Sequence, residues 1–219
     1  MATNKKNIVV LGLDNFGMST IKQLSKYNCE TLAIDKRMER VEMAEEYATC
    51  AMQVNMQDTE DFAELSLNSY DIAIITFSDI QTSILSALVC KENNIPMVIA
   101  KANDETHKKI LRKMEVDRII SPEEDGGIKL AKGIMDQNII EIVDLLEKYS
   151  IVELNVREKW ENKTLGELRL RNIYGLNVLC IKNKDKKDIV ISPLPDHKLE
   201  QGDILVAIAE NEKANKKTI

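Results

Sequence analysis

Short apolar runs that alternate with amphipathic stretches constrain the fold of this chain more than any other feature. The runs at residues 8–11, 31–34, 51–54, 71–77, 97–100 and 118–121 have the length of buried strands, and the stretches between them show helical spacing. About six strands in this rhythm are typical of a parallel sheet with helices on both faces. The sequence therefore predicts a doubly wound α/β fold for the first half.

The rhythm changes beyond residue 127. Residues 128–149 carry apolar side chains on one face for about five helical turns, which predicts one long linking helix. Alternating strand patterns follow at residues 152–156, 178–181, 189–191 and 204–209, with a short helical piece at residues 164–170. We therefore predict an N-lobe over residues 1–127, a linking and dimerisation helix over 128–150, and a small α+β C-lobe over 151–219.

Charge and cysteine content limit the partners and the compartment. The formal charge is −6, with 36 acidic and 30 basic side chains, so a nucleic-acid partner is not expected. The cysteines lack the paired spacing of a zinc site and indicate small core residues in a reducing compartment: Cys29, Cys50, Cys90 and Cys180. No apolar run approaches the ~18 residues that span a bilayer. A cytoplasmic location is expected.

The turn from Gly12 to Gly17 stands between the first strand and the first helix, where a dinucleotide-binding fold holds phosphates. Gly12 allows the tight turn, Gly17 lets helix and strand approach, and free N–H groups of the helix start attract an anion. Asp35 ends the second strand, at the position that accepts hydrogen bonds from ribose. Asp14 replaces the middle glycine, and its charge would repel a diphosphate unless a cation intervenes.

Further candidate ligand residues lie within this turn and after the strands. They are Asn15, Phe16, Lys36, Asn55, Thr76, Asp79, Lys101 and Glu123. His107 and His197 are expected at the surface, and no acid–base pair or nucleophile elbow stands out. The ~70 residues after the linking helix are also short for a substrate domain of a hydride-transfer enzyme. We therefore expect a ligand-binding protein that is not an enzyme.

These motifs, taken in order, resemble the RCK-domain (KtrA/TrkA-type) cytosolic regulators of bacterial potassium uptake. The resemblance rests on the Gly12 to Gly17 turn, on Ala33-Ile34-Asp35, and on the stretch from Asp117 to Glu123. In the C-lobe it rests on residues 163–171, on Tyr174-Gly175, and on residues 202–206. It covers nearly the whole chain.

The resemblance implies a Rossmann-like N-lobe that binds ATP or ADP, or NAD(H) in some relatives. Gly12 and Gly17 would then line the phosphates and Asp35 the ribose, with Asn55 nearby. Lys101 and Glu123 would face the ligand or a Mg²⁺ or Ca²⁺ ion, with Glu123 as the metal ligand. The family commonly has glycine and arginine where this chain has Asp14 and Asn15, so the choice among these ligands stays open.

For the C-lobe, the resemblance implies binding of cyclic di-AMP at a dimer interface. The matching positions are Leu165, Gly166, Leu170, Arg171, Asn177 and Pro193. Gly166 replaces a bulkier apolar residue, so some packing against adenine would be lost. The resemblance also implies a homo-oligomer, a dimer or an octameric ring of dimers, that docks on a membrane-embedded potassium channel subunit at the inner face of the cell membrane.

Two alternative functions stay open from the sequence. An NAD(H)-dependent oxidoreductase could use the same fold, although it would need an acid and a base that the sequence does not offer. A stand-alone cyclic di-AMP receptor with a degenerate N-lobe is the other, and Asp14 favours it.

Overall fold

Six parallel strands form the sheet of the first compact unit, Met1–Glu123. The strands are β1 (Lys6–Leu11), β2 (Cys29–Asp35), β3 (Cys50–Gln53), β4 (Ile72–Ile75), β5 (Met97–Lys101) and β6 (Arg118–Ile120). Their order is β3-β2-β1-β4-β5-β6, so the chain leaves β1 toward one side for β2 and returns to the other side for β4. The computed structural model describes residues 5–57, 65–135, 139–146, 148–183 and 188–210.

Helices cover both faces of this sheet. They are α1 (Asn15–Leu24), α2 (Met38–Glu45), α3 (Ile80–Glu92) and α4 (Glu105–Lys113). Along β1, Val9 and Leu11 enter one apolar cluster, whereas Ile8 and Val10 enter another. Because successive side chains of a strand point to opposite faces, both faces of the sheet are buried. This architecture confirms the predicted Rossmann-like N-lobe.

An antiparallel sheet organises the second unit, Glu124–Ile219. Its strands are β7 (Ile139–Leu146), β8 (Tyr149–Asn155), β9 (Leu176–Lys182), β10 (Ile189–Ile191) and β11 (Ile204–Glu210), in the order β10-β9-β11-β8-β7. The short helices α6 (Leu165–Leu168) and α7 (Leu170–Tyr174) join β8 to β9. Trp160 is buried in this core and meets Tyr174 edge to face, with ring centroids 5.2 Å apart. The predicted small α+β C-lobe is confirmed.

The predicted long helix over residues 128–149 is wrong. Helix α5 (Pro122–Met135) ends early, and β7 pairs with β8 from Ile139 opposite Leu154 to Leu146 opposite Tyr149. The residues of β7 include three isoleucines and a valine, whose branched side chains favour a strand once a partner is available. A dimerisation role for residues 128–150 stays a prediction, and residues 211–219 lie outside the described ranges.

Two placements expected from the sequence are also wrong. His107 is fully buried, because it lies one turn before the buried Leu111 on the same face of α4.

Cys50 is exposed on the edge strand β3, whereas Cys90 is buried and Cys29 and Cys180 are partly buried. Burial raises the pKa of the Cys90 thiol to about 12. His197 is partly buried in the second unit.

Candidate ligand sites of the two units

A cavity of about 340 Å³ opens at the carboxyl ends of β1, β2 and β4 in the first unit. It is lined by Gly12, Asp14, Asp35, Lys36, Arg37, Arg40, Val54, Asn55, Met56, Phe77, Ser78, Asp79 and Thr82. This is the point where the strand order reverses, and open α/β sheets bind their ligands there. The sequence-predicted Gly12, Asp14, Asp35, Lys36, Asn55 and Asp79 therefore share one cavity.

The turn after β1 depends on its two glycines. Gly12 has φ +97°, and a Cβ there would lie 2.9 Å from the ring of Phe77. A Cβ on Gly17 would overlap the carbonyl oxygen of Gly12. The buried Thr76 hydroxyl donates to that same oxygen at 2.6 Å, so Thr76 supports the turn from beneath and is not among the lining residues.

Asp14 caps helix α1 with its own carboxylate. Its Oδ1 accepts hydrogen bonds from the backbone N–H groups of Phe16 at 3.1 Å and Gly17 at 2.9 Å. These are N–H groups that a bound phosphate would otherwise use. Asn15 and Phe16 belong to the first turn of α1 and are not among the residues that line the cavity. The protein's own carboxylate thus occupies the anion position of the turn.

Lys101 is the cation that balances Asp14. Its side chain is only 3% exposed, and its Nζ lies 2.5 Å from Oδ2 of Asp14 and 3.3 Å from Oε1 of Glu123. Burial raises the pKa of Asp14, but hydrogen bonds from Lys101 and from the N–H groups of Gly17 and Phe16 outweigh it, so the pKa is lowered. Lys101 and Glu123 are not among the lining residues of the cavity.

Glu123 offers one exposed carboxylate to a metal ion. Its side chain is 69% exposed, and the ammonium of Lys101 lies between it and Asp14. Within the described ranges, no group of three or more His, Cys, Asp or Glu side chains is placed to hold a metal ion.

Asp35 is buried with its oxygens already engaged. Oδ2 accepts from the backbone N–H of Leu13 at 2.8 Å and from Nη1 of Arg40 at 3.2 Å. Oδ1 accepts from the backbone N–H of Arg37 at 2.9 Å. Sequence reasoning missed Arg37 and Arg40, although the basic residues that directly follow Asp35 were a visible signal.

Asp79 caps the start of α3 as Asp14 caps α1. Its Oδ2 accepts from the Thr82 backbone N–H at 2.8 Å and from the Thr82 hydroxyl at 2.5 Å. These hydrogen bonds from Thr82 lower the pKa of Asp79. Nearby, Oδ1 of Asn55 accepts from the backbone N–H of Gln57 at 3.3 Å.

A second cavity, of about 310 Å³, lies in the second unit. It is lined by Leu165, Gly166, Arg169, Leu170, Arg171, Asn172, Leu176, Asn177, Val178, Pro193 and Pro195. All six residues predicted for the C-lobe ligand are in this set. Among the described residues that line the cavity, two are arginines and none is acidic, so its charge favours an anion.

Two lining residues have unusual backbone positions. Arg169 joins α6 to α7 in the left-handed conformation, with φ +45° and ψ +43°. The backbone N–H of Gly166 donates to the carbonyl of Pro195 at 2.7 Å, and a Cβ on Gly166 would lie 3.1 Å from that oxygen. Sequence reasoning missed Arg169, because nothing in its immediate neighbours marks a strained turn.

Comparison with known proteins supports this two-unit organisation. The TrkA-N domain model matches residues 8–122, and the TrkA-C domain model matches residues 150–216. The chain belongs to the TrkA-N/TrkA-C, or RCK-domain, family. The predicted resemblance to KtrA/TrkA-type proteins is thereby confirmed.

Curated members of this RCK family match over nearly their full length. Ktr system potassium uptake protein A of Bacillus subtilis is 37% identical over 202 residues, covering 92% of this chain and 90% of the relative. Ktr system potassium uptake protein A of Vibrio alginolyticus is 34% identical, covering 99% of this chain and 98% of the relative.

Solved RCK structures share the fold. The GsuK channel bound to NAD has a TM-score of 0.55 at 21% identity, covering 99% of this chain and 38% of that chain. The TrkA-N domain of the inner membrane protein ybaL from Escherichia coli has a TM-score of 0.51 at 14% identity, covering 63% of this chain and 98% of that chain. In the part of the RCK chain that the structure describes, no helix has the length and apolar composition that crossing a membrane requires.

Proposed function

We propose that this RCK chain is a cytoplasmic regulatory subunit of a Ktr-type potassium uptake system and is not itself an enzyme. It binds small nucleotide ligands and acts on a membrane-embedded potassium channel subunit at the inner face of the cell membrane. The near full-length similarity to Ktr system proteins supports a role in a Ktr-type potassium uptake system. The cavity in each unit supports control of that role by bound ligands.

The observation that carries the proposal is the second cavity. It combines Arg169 and Arg171 with apolar walls from Leu165, Leu170 and Pro193. Guanidinium groups make charge-assisted bonds to phosphates, and apolar walls accept the faces of bases. A nucleotide with two phosphates and two purines suits this lining, so cyclic di-AMP is the ligand proposed for the C-lobe.

The N-lobe cavity is proposed to bind an adenine nucleotide, ATP/ADP or NAD(H). Its place at the strand-order reversal and its Asp35 support a ribose-containing ligand. Asp14 disfavours a 5′-diphosphate at the start of α1, unless a Mg²⁺ or Ca²⁺ ion bridges Asp14 or Glu123 to the phosphates. The ligand biases the oligomer between conformations by binding one of them more tightly.

The binding test is a thermal-shift screen with ATP, ADP, AMP, NAD, NADH and cyclic di-AMP, followed by calorimetry. Cyclic di-AMP is expected to raise the Tm of wild type, and Arg171→Ala is expected to weaken its binding at least about tenfold, since a charge-assisted hydrogen bond is lost. Lys163→Ala removes an equivalent charge outside the cavity and serves as the control. Unchanged affinity of Arg171→Ala for cyclic di-AMP would place the ligand elsewhere.

The functional test measures rubidium uptake into vesicles that contain a Ktr-type channel subunit, with and without this chain. Uptake that depends on the chain and responds to cyclic di-AMP supports the proposal. Binding of cyclic di-AMP without any effect on flux favours the stand-alone receptor. Steady oxidation of NADH by the purified chain would favour the oxidoreductase.

A further inference from the structure

The N-lobe cavity separates its charges across the edge of the sheet. Two carboxylates follow the central strands: Asp14 comes after β1 and Asp79 after β4. Three cations follow the neighbouring strand β2, and all of them line the cavity: Lys36, Arg37 and Arg40. A ligand in this cavity therefore meets carboxylates at the starts of α1 and α3, of which Asp14 is paired with Lys101, and unneutralised positive charge at the end of β2.

The usual phosphate positions are already occupied. The first N–H groups of α1 bind the carboxylate of Asp14, and the backbone N–H of Thr82 in α3 binds Asp79. A 5′-phosphate group at either helix start would have to displace a carboxylate that is already hydrogen-bonded. The charges at that side of the cavity thus oppose the diphosphate arrangement of an ordinary dinucleotide site.

The other side can accept an anion without such a displacement. Arg40 uses Nη1 to neutralise the buried Asp35, while its side chain stays 28% exposed. A guanidinium has five N–H donors, so Arg40 can bind Asp35 and a phosphate together. The side chain of Arg37 is 56% exposed, and its Nε lies 3.9 Å from Oδ1 of Asp35. The net charge of Asp35 with Lys36, Arg37 and Arg40 is positive.

We propose that Lys36, Arg37 and Arg40 form an anion subsite for a phosphate carried on the 2′ or 3′ oxygen of the ligand's ribose. This inference rests on the proposed binding of an adenine nucleotide in the N-lobe. Asp35 stands at the position that contacts ribose in dinucleotide-binding folds. Its oxygens already accept hydrogen bonds from N–H groups, including one of Arg40. An arginine is therefore the group available to bind a phosphate attached to the ribose. The subsite favours a phosphate on the 2′ or 3′ oxygen, whereas the carboxylates of Asp14 and Asp79 disfavour one on the 5′ oxygen.

The experiment is calorimetric titration of the full chain with 2′-AMP, 3′-AMP, 5′-AMP and adenosine in metal-free buffer. We expect 2′-AMP or 3′-AMP to bind at least about tenfold more tightly than 5′-AMP, the effect of one charge-assisted hydrogen bond. The two isomers show which ribose oxygen carries the phosphate. Equal or tighter binding of 5′-AMP overturns the inference.

Substitutions separate the subsite from the rest of the cavity. Arg40→Met is expected to remove the preference for 2′-AMP or 3′-AMP while adenosine binds as well or better, because Oδ2 of Asp35 keeps only the Leu13 N–H donor and can accept a ribose hydroxyl in place of Arg40. Arg37→Met alters a mostly exposed side chain. If Arg40→Met does not fold, Arg37→Met tests the same loss of preference for 2′-AMP or 3′-AMP. Arg118→Met, exposed on β6 and outside the cavity, is the matched control.

The outcomes distinguish this inference from the proposed function. If adenosine and 5′-AMP bind but 2′-AMP and 3′-AMP show no advantage, the subsite is refuted and nucleotide binding by the N-lobe stands. Equal weakening of all four ligands by Arg40→Met also refutes it, since that variant would then act on the whole cavity. If no ligand binds, both the subsite and the N-lobe part of the proposed function fail.

Discussion

At the scale of single residues, Asp14 determines whether the first N–H groups of α1 are available to bind a ligand's phosphates. In Asp14→Gly we expect the free energy of unfolding to fall by a few tenths of a kcal/mol from loss of the cap, and further because the buried Lys101 loses an ion-pair partner. Affinity for ADP in metal-free buffer should rise. A repelling charge pair ~5 Å apart at an effective dielectric near 20 costs about 3 kcal/mol before screening, and the positive charge of Lys101 beside Asp14 offsets part of that cost. Urea unfolding and calorimetry measure the two effects.

Asp14→Asn is the control that separates charge from geometry. Asparagine also caps helices well, so this variant keeps the cap while removing the charge. It should gain ADP affinity with a smaller loss of stability. If neither variant gains affinity for ADP, Asp14 does not face the ligand's phosphates.

Arg169 combines a strained backbone with a place in the C-lobe cavity. Asparagine tolerates the left-handed conformation better than arginine, so Arg169→Asn should raise the free energy of unfolding by up to about 1 kcal/mol. The same change should weaken cyclic di-AMP binding about tenfold, because a guanidinium leaves the cavity. Arg169→Lys keeps the charge and should retain most of the affinity. Stability and affinity that fall together would indicate a purely structural role.

At the scale of elements, the start of α4 predicts a pH dependence of stability. His107 accepts a hydrogen bond at Nδ1 from the Asn103 backbone N–H at 3.3 Å, and burial lowers its pKa despite the opposing charge of Asp104. The unfolded state, with a histidine pKa of about 6.5, therefore binds a proton more readily than the folded state. Stability contributed by His107 is present above about pH 6.5 and is lost as the pH falls toward the folded pKa.

Urea unfolding of wild type and His107→Gln between pH 5 and 8 checks this expectation. The wild type should lose stability toward pH 5, and the variant should show a flatter profile. The pKa of Asp14 is lowered from a value that is already acidic, so its contribution is lost only at lower pH. Parallel profiles of the two proteins would contradict the assignment to His107.

The elements of the N-lobe were predictable because each strand and helix carries its own local signal. The apolar run at β7 was not, because an apolar stretch of that length suits a helix or a strand until its partner is known. Strand β8 provides that partner. The burial of His107 was missed because the alternation of charged residues in α4 concealed the face that it shares with Leu111.

The candidate site residues were also predictable from the sequence only in part. Gly12, Gly17 and Asp35 could be predicted because their roles follow from one strand–turn–helix pattern. The contact of Lys101 with Asp14 joins residues 87 positions apart, so only the folded sheet brings them together. The six C-lobe positions came from a family resemblance, and their common cavity became visible only in three dimensions.

At the scale of the whole molecule, α5 predicts self-association. Leu130 and Ile134 lie one turn apart on α5, and 66% and 67% of their surface is exposed in the single chain. An apolar face of this kind indicates a protein interface. We expect light scattering at micromolar concentration to give at least the mass of a dimer, about twice the 24.8 kDa of one chain.

Leu130→Lys should lower that mass, because a charge in an apolar interface is costly to bury. Lys129→Glu changes charge on the same helix without removing an apolar side chain, and it should leave the mass unchanged. A wild-type mass of one chain alone would refute the oligomer, and an unaffected Leu130→Lys would place the interface elsewhere.

The uneven burial of the four thiols makes the chain suitable for spectroscopy without engineering. Cys50 is exposed on the outermost strand of the parallel sheet, whereas the Cys90 thiol is buried and stays protonated at neutral pH. A maleimide dye at limiting concentration should therefore attach mainly to Cys50. One fluorophore per subunit would then report energy transfer between neighbouring copies as a ligand is added, in a protein of natural sequence.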